Sequence, residues 1–321
     1  MHANHYEKID QGVVIKKSKG VYEVYRGDRS IACSLSSHLL SQPGKAASVL
    51  IDSLAVGDFV RYVEISQGAG QILGVLPRRN LLARRGVASQ RGAYAGEQVI
   101  AANIDQVVPV FAAARPEPHW RLLDRYLVAT EAAGLPSLVC ITKLDLVQDH
   151  TGSIDNALSE KVKEYRRIGY ALLLVSAITG AGMTELKQAL HGRTSLLLGK
   201  SGVGKTTLLN ALQPDLGLRV QEVSRMTGKG LHTTTFLEMF PFDFGGAVID
   251  TPGTREFGLW DVPDDELAYF FPEMRPFIGG CKYGLDCQHD EEPGCAVRRA
   301  VMAGTISPAR YQSYMLLKEG R

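Results

Sequence analysis

The sequence lacks the features that mark a membrane protein or a disulfide-stabilised fold. None of its apolar runs approaches the roughly 20 residues that span a bilayer, and its first residues, MHANHYEKIDQG, contain no apolar signal core. Only five cysteines occur, and two of them, Cys33 and Cys140, stand alone in apolar runs, where we expect small core residues. The net charge of +2 does not by itself indicate a nucleic-acid partner, so any basic surface must be local. We therefore expect a cytoplasmic globular chain of two or three domains, without a membrane partner.

Short patterns of the β type fill residues 11–77. Five runs are rich in β-branched or aromatic residues and are separated by Gly, Asp or Ser: GVVIKK, VYEVYR, SIACSLS, DFVRYVEI and GQILGVL. So many short strands in this length predict a small barrel over residues 1–77. We predict a five-stranded OB-type barrel, a scaffold that often binds oligonucleotides, and an SH3-like barrel remains open.

An arginine-rich segment follows, and we predict a linker over residues 78–98. The sequence from Pro77, PRRNLLARRGVASQRGAYAG, places five arginines among Gly, Ala and Ser. Such a run is either a solvated connection or an arm that contacts phosphates, and the sequence leaves both open.

From about residue 100 the pattern changes to alternating strand and helix. QVVPVFAA precedes the helical WRLLDRYLVATEAAG, PSLVCITKLDL precedes IDNALSEKVKEYRRIG, and ALLLVSA precedes MTELKQALHG. TSLLLG then leads into a Gly-rich loop with its own helix, and GGAVIDTPG ends the series. This alternation predicts a parallel α/β domain over residues 99–256, followed by a helical domain over residues 257–321.

The Gly-rich loop, GKSGVGKT, fits the phosphate-loop pattern G-x-x-x-x-G-K-[ST] residue for residue. Its glycines let backbone N–H groups surround phosphates, and the helix that starts there adds its positive end. Lys205 is predicted to reach the β- and γ-phosphates and the Thr206 hydroxyl to bind Mg²⁺. The predicted nucleotide-binding residues of the loop are Gly199, Lys200, Ser201, Gly202, Val203, Gly204, Lys205, Thr206 and Thr207.

Two segments downstream of the loop complete the phosphate side. In AVIDTPG, Asp250 is predicted to hold Mg²⁺ and Gly253 to offer its N–H to the γ-phosphate. The polar run MTGKGLHTTTF lies between these two segments and resembles a switch loop, in which one of Thr233, Thr234 or Thr235 is expected to reach Mg²⁺, with Thr234 as our candidate. His232 in the same run is our candidate for positioning the attacking water, and a solvent-facing loop histidine is the alternative.

The base-reading residues are found upstream of the loop. CITKLDL places Thr142, Lys143, Leu144 and Asp145 at one strand end, and LLVSAITGAG places Ser176 and Ala177 at another. The Asp145 carboxylate can accept from the N1–H and the 2-amino group of guanine, a pair of donors that adenine does not offer. The Lys143 stem is expected to lie along the base, and the Ala177 N–H to meet guanine O6. The predicted nucleotide is therefore GTP.

These motifs stand in an unusual order: base motif, S-A motif, phosphate loop, switch, D-T-P-G. It is the order of a GTPase that has been cut and rejoined. The termini of compact domains often lie close together, so such a permutation requires little rearrangement. Gly192 and Arg193 alone join the helix that usually ends the domain to the strand that usually begins it. We predict a circularly permuted GTPase domain.

The remaining cysteines form the pattern C-x5-C-x-H-x5-C. Cys281, Cys287, His289 and Cys295 supply three thiolates and an imidazole, the ligands of a tetrahedral structural Zn²⁺ site without an open position. Free or redox-active thiols are the alternative. The tail, SPARYQSYMLLKEGR, predicts a helix that begins at its Ser-Pro pair.

The permuted order, between a small β-barrel and a Cys/His cluster, resembles the RsgA (YjeQ/EngC) family of bacterial GTPases. The resemblance covers essentially the whole chain, including GLHTTT and DTPGTREFGLW. It implies a monomeric GTP hydrolase that uses Mg²⁺, carries one Zn²⁺, binds the small ribosomal subunit and its rRNA, assists late maturation, and couples hydrolysis to release. A signalling or scaffold GTPase, whose barrel and zinc modules bind proteins, is the alternative.

Three positions depart from common GTPase patterns. Thr142 stands where Asn is most frequent in the base motif, which keeps a hydroxyl and is expected to loosen the loop. Gly202 stands where some related GTPases have an Asn that helps to hold K⁺, so we infer no potassium dependence. Thr254 stands where Ras-like enzymes have their water-positioning Gln, so we expect slow basal hydrolysis that a partner increases.

Overall fold

The computed structural model describes residues 9–18, 20–40, 54–85, 97–149, 151–218, 237–251, 262 and 265–320. The chain divides into two compact units, each assembled from separate stretches of sequence. The first unit comprises Met1–Gln106, Ala189–Leu197 and Gln221–Gly253, and the second comprises Val107–Gln188, Leu198–Val220 and Thr254–Arg321.

Strands and helices follow the predicted change of pattern along the chain. The strands are β1 (Ile9–Ser18), β2 (Val21–Tyr25), β3 (Ser30–Leu35), β4 (Phe59–Ser66), β5 (Ala69–Val75), β6 (Leu81–Arg85), β7 (Glu97–Ala102), β8 (Gln106–Ala112), β9 (Leu138–Thr142), β10 (Ala171–Leu174), β11 (Thr194–Leu198), β12 (Glu238–Pro241) and β13 (Ala247–Asp250). The helices are α1 (Ser37–Leu40), α2 (Trp120–Ala132), α3 (Asn156–Ile168), α4 (Met183–Leu190), α5 (Lys205–Leu212), α6 (Ala296–Met302) and α7 (Pro308–Lys318).

The first five strands close into a barrel. β1 pairs antiparallel with both β2 and β4, and β3 pairs with β2 on one side and, in parallel, with β5 on the other. The β4–β5 pair completes the ring in the order β1-β2-β3-β5-β4. This closure confirms the predicted five-stranded OB-type barrel. Alternating residues of the strands fill its interior, among them Tyr22, Ile31, Cys33, Tyr62 and Ile72.

The barrel is joined to strands that belong to the GTPase pattern. In the first unit, β13 pairs in parallel with β11 and antiparallel with β12. β12 also pairs antiparallel with barrel strand β1, where Lys16 lies opposite Glu238 and their side chains form an ion pair of 2.9 Å. One sheet therefore runs from the strand before the phosphate loop into the barrel.

Part of the predicted linker is folded. β6 pairs antiparallel with β7, and the preceding arginines bind carboxylates. Arg78 forms a two-point ion pair with the fully buried Asp58, with Nε–Oδ1 and Nη2–Oδ2 distances of 2.6 and 2.7 Å. Arg79 Nη1 lies 2.9 Å from Asp105 Oδ1, and Asp105 Oδ2 accepts from the N–H of Thr194, the first residue of β11. Arg78 therefore binds the connection after β5 to the residue before β4, and Arg79 binds the same connection to the residue before β8.

The second unit contains the remaining parallel strands and the C-terminal helices. β8, β9 and β10 pair in parallel, and every residue of β8 and β9 is buried. Cys140 lies in this core and is fully buried, as predicted. A second core cluster combines Val128 of α2 with Phe271, Met274 and Tyr314 of the C-terminal segment. Among the described residues, no helix has the length and apolar character needed to cross a membrane.

Candidate nucleotide site and metal centre

The phosphate loop lies between β11 and α5, as its sequence predicts. Gly202 and Gly204 have φ angles of +82° and +97°, which side chains rarely tolerate. A Cβ atom added to Gly199 would lie 2.5 Å from the carbonyl oxygen of Val110, so this position allows only glycine. The Lys205 side chain is buried and folds back over the loop, where Nζ donates to Gly199 O at 2.5 Å. The loop thus carries a buried positive charge at the first residue of a helix, a combination that suits phosphate.

The base motif is hydrogen-bonded to the phosphate loop. Thr142 ends β9, is buried, and donates from Oγ1 to the carbonyl oxygen of Val203 at 2.5 Å. Lys143 adopts the left-handed conformation, with φ +57°, and its Nζ donates to Gly202 O at 2.7 Å and to Arg115 O. Burial lowers the pKa of Lys143, and the nearby Asp145 opposes this shift. Residues about 60 positions apart in sequence are therefore in direct contact, and they belong to the predicted base motif and the predicted phosphate loop.

Asp145 is oriented by the second predicted base motif. Ser176 follows β10, is fully buried, and donates from Oγ to Asp145 Oδ1 at 2.5 Å. The same hydroxyl oxygen accepts from the N–H groups of Ile178 and Thr179 at 3.3 and 3.2 Å. The Ser176 hydroxyl thus holds the Asp145 carboxylate in place. The carboxylate can still accept the hydrogen bonds that guanine would donate. The sequence analysis named both Ser176 and Ala177 as site residues but gave a role only to the Ala177 N–H. It did not predict the contact of Ser176 with Asp145, although a hydroxyl at a neighbouring strand end was a signal for it.

The other predicted residues divide between described and undescribed parts of the chain. Asp250 ends β13, directly opposite Leu197 of β11, two residues before the loop begins. The next residue, Thr251, is buried and its hydroxyl donates to Leu197 O at 2.8 Å, a contact that the sequence did not predict. Leu144 is buried, Ala177, Thr206 and Asp145 are half-buried, and Lys200, Ser201 and Thr207 are exposed. His232, Thr234 and Gly253 lie outside the described residues.

The predicted metal ligands converge in the second unit. Ligand atoms of Cys281, Cys287, His289 and Cys295 all lie within 4.8 Å of one another, and all four residues are buried. His289 Nδ1 lies 3.5 Å from Cys281 Sγ and 3.6 Å from Cys295 Sγ, and these two sulfurs are 3.9 Å apart. Tetrahedral zinc with ordinary Zn–S and Zn–N bonds separates its ligand atoms by about 3.5–3.8 Å. The cluster therefore has the donor set and spacing to hold a metal ion.

Neighbouring groups support these ligands. The N–H of Ala296, the first residue of α6, donates to Cys281 Sγ at 3.2 Å, which stabilises a thiolate. Tyr311 donates from its hydroxyl to the carbonyl oxygen of His289 at 2.6 Å and so fixes this loop residue on α7. Burial lowers the pKa of His289 and favours the neutral imidazole that binds metals.

A phosphate loop, with a base-reading motif before it in sequence and a D-T-P-G motif after it, defines a circularly permuted GTPase. The family model described as RsgA GTPase matches residues 75–260. The chain belongs to this family, as its resemblance predicted.

Relatives and solved structures agree with this assignment. A protein of Gemmatimonas aurantiaca is 42% identical over 312 residues, which cover 96% of each chain. A Pseudomonas aeruginosa protein is 45% identical over 264 residues, covering 82% of this chain and 75% of its own. Both are named small ribosomal subunit biogenesis GTPase RsgA. The crystal structure of YjeQ from Thermotoga maritima matches with a TM-score of 0.71 and 32% identity, covering 97% of this chain and 98% of that one. YloQ, described as a circularly permuted GTPase, matches with a TM-score of 0.70, 28% identity and coverage of 99% and 97%.

Proposed function

We propose that this chain is a cytoplasmic GTP hydrolase that binds the small ribosomal subunit through its rRNA, assists late maturation and couples hydrolysis to release. The observation that carries the proposal is the contact of the base motif with the phosphate loop, through Thr142 to Val203 and Lys143 to Gly202. The names of the full-length relatives support the ribosomal partner. In this proposal a monomer contains a barrel over residues 1–77, a linker over 78–98, the permuted GTPase domain over 99–256 and a zinc domain over 257–321.

The proposal gives specific roles to several of the predicted site residues. Asp145 reads guanine, Lys205 balances the charge of the β- and γ-phosphates, and Gly253 contacts the γ-phosphate. Mg²⁺, which supplies charge compensation when bound, is held by Thr206, Thr234 and Asp250. His232 orients the attacking water. The Cys/His cluster holds one Zn²⁺ with no open position, which makes this ion structural.

The sheet of the first unit provides a route for coupling. Strand β12 lies between β13, which ends at the proposed Mg²⁺ ligand Asp250, and barrel strand β1. A change at Asp250 upon hydrolysis would act on β12 through backbone hydrogen bonds and from there on the barrel. GTP-bound protein should therefore bind the subunit more tightly than GDP-bound protein, because only differential affinity links hydrolysis to release.

Nucleotide identity is tested by the substitution Asp145→Asn. An amide cannot accept from both N1–H and the 2-amino group of guanine, so GTP affinity should fall by about 3–6 kcal/mol, on the order of 10²–10⁴-fold. Xanthosine triphosphate, which has a carbonyl in place of the 2-amino group, should bind the variant better than GTP does. Fluorescence titration with both nucleotides measures this change. Asp149→Asn, in an exposed turn, is the matched control and should retain GTP binding. A D145N variant that still prefers GTP would contradict the assignment.

The ribosomal partner is tested by hydrolysis and co-sedimentation. Purified protein should turn over slowly, and small subunits should raise the rate at least about tenfold, since a partner supplies order and charge at the transition state. Co-sedimentation should weaken steeply as salt increases, as phosphate contacts require.

Lys205→Ala should abolish hydrolysis while keeping the fold. Full activity without subunits, or equal affinity in both nucleotide states, would reject the coupled mechanism, and failure to sediment with subunits would favour a protein-binding GTPase.

A further inference from the structure

Two neighbouring cavities lie where the start of α2 meets α7 in the second unit. Their volumes are about 430 and 470 Å³, and both are lined by His119, Arg121 and Ser313. The larger one also reaches Arg125 and Lys200, and the smaller one reaches Trp120 and Lys161. Because they share three lining residues, the two cavities are together called the α2–α7 groove, whose lining includes Lys200 of the phosphate loop and the aromatic Trp120.

The larger cavity has a strongly basic lining. His119, Arg121, Arg125 and Lys200 surround it over a floor of leucines, and the described residues place no carboxylate in its wall. Arg125 Nε is buried and has no hydrogen-bond partner in the part of the chain that the structure describes. Buried donors of this kind normally have an acceptor, and the described residues of this cavity do not supply one to Arg125 Nε. Arginine pairs particularly well with phosphate oxygens because its donors form a planar fork.

The two carboxylates at the smaller cavity each have a cationic partner, while Glu164 Oε1 has no hydrogen-bond partner among the described residues. Asp124 binds Arg310 at 2.6 Å, and Glu164 binds Lys161 at 2.7 Å. The half-buried Trp120 packs against Tyr165 with a ring-centroid distance of 5.8 Å, so its ring is held in place. A fixed indole next to cations is the arrangement on which an unpaired base stacks while its phosphates are neutralised.

We propose that the α2–α7 groove binds the phosphate backbone of an RNA strand, with Arg121 and Arg125 on phosphates and Trp120 against a base. This inference rests on the proposed function, in which the RNA belongs to the small ribosomal subunit. Lys200 lines the groove and directly follows Gly199 of the phosphate loop, whereas Lys205 folds onto that loop. RNA in the groove therefore contacts the segment that holds GTP, which gives the subunit access to the nucleotide site.

The test uses the double variant Arg121→Gln/Arg125→Gln in the full chain, which removes two charges and keeps most of each side chain. Binding to purified small subunits is measured with a GTP analogue at several salt concentrations. For two lost phosphate contacts, the slope of log K against log salt should become shallower by about 1.4–1.8, and affinity at about 0.1 M salt should fall at least tenfold. GTP affinity and the thermal midpoint should stay unchanged, which separates a lost contact from a lost fold.

The matched control is Lys163→Gln/Arg167→Gln, which removes two charges from the exposed face of α3 outside the groove. It should bind subunits with the wild-type slope. A groove variant with wild-type affinity and slope would overturn the proposal. Failure of the wild-type protein to bind subunits would instead refute the proposed function. In that case the groove proposal is tested by measuring binding of a 12-nucleotide single-stranded RNA. The wild type should bind it at least tenfold more tightly than the groove variant. Equal binding, or equal competition by polyglutamate, would overturn it.

Discussion

Replacing Arg310 with leucine is expected to lower the free energy of unfolding of the second unit by about 3–5 kcal/mol, the usual effect of breaking a buried ion pair from one side. Arg310 lies on α7 and is 1% exposed. Its Nη1 lies 2.6 Å from Asp124 Oδ1 on α2, and its Nε lies 2.6 Å from Glu273 Oε1. The guanidinium also lies over the Phe271 ring, 4.6 Å from its centre.

The large effect follows from the carboxylates that remain. Asp124 and Glu273 are 4% and 9% exposed in their side chains, so without Arg310 two negative charges stay buried without their cation. Tyr165 donates to Asp124 at 2.6 Å but carries no charge to balance it. A second contact with Glu273 joins Arg310 Nη2 to Oε2 at 3.2 Å, and lysine is a poor substitute because it cannot make this two-point contact. Urea denaturation of wild type and variant, with hydrogen exchange followed in α2 and α7, measures the loss.

Arg275→Met is the control for this prediction. Arg275 pairs with Glu131 at 2.5 Å and also joins the C-terminal segment to α2, but its side chain is 47% exposed. Solvent screens such a pair, so the substitution should cost less than about 1 kcal/mol. Similar losses for the two variants would mean that burial does not determine the strength of this junction, which would contradict the prediction.

The nucleotide site could be predicted from sequence because its parts are local patterns at strand ends. Asp145 and Lys205 belong to motifs of four and eight residues, and the strands before them are short apolar runs that the structure confirms as β9 and β11. Carboxyl ends of parallel strands meet at one edge of a sheet, so motifs placed there converge even when they are far apart in sequence. The metal cluster was predictable for the same reason, since its ligands fall within 15 residues.

The junctions between modules could not be predicted in this way. Arg310 and Asp124 are 186 positions apart, and Arg310 stands in a helix whose sequence, PARYQSYMLLK, resembles an ordinary amphipathic helix with a solvated charge. The pairing of Lys16 with Glu238 spans 222 positions and joins a barrel strand to the four-residue β12, which has no pattern that marks it as a strand. Arg78 and Arg79 were left open between solvent and phosphate, whereas both bind carboxylates. The ion-pair partner of a charged residue becomes known only once the fold has placed the two residues next to each other.

Removal of the metal is expected to unfold the segment around Cys281–Cys295. Binding of structural zinc contributes about 10–16 kcal/mol of apparent free energy in small zinc modules, more than the stability of most domains. The core that the ligands share includes Phe271, Met274 and Tyr314, and in the described residues 265–320 the regular structure besides α6 and α7 consists of three short 3-10 helices. Purified protein should contain one zinc per chain by elemental analysis, and a chelator strong enough to extract it should lower the thermal midpoint.

The substitution His289→Ala tests the predicted set of metal ligands directly. Three thiolates remain, but the fourth position opens to water, so occupancy should fall well below one zinc per chain after dialysis against a mild chelator. Because Val128 of α2 packs in the same cluster as the ligands, hydrogen exchange should accelerate in α2 as well as in α6 and α7. Cys33→Ala removes a buried thiol of the barrel and is the control, which should retain full zinc occupancy. Full occupancy and an unchanged thermal midpoint for H289A would show that the ligand set is wrong, and the junction with α2 would then depend on Arg310 and apolar packing alone.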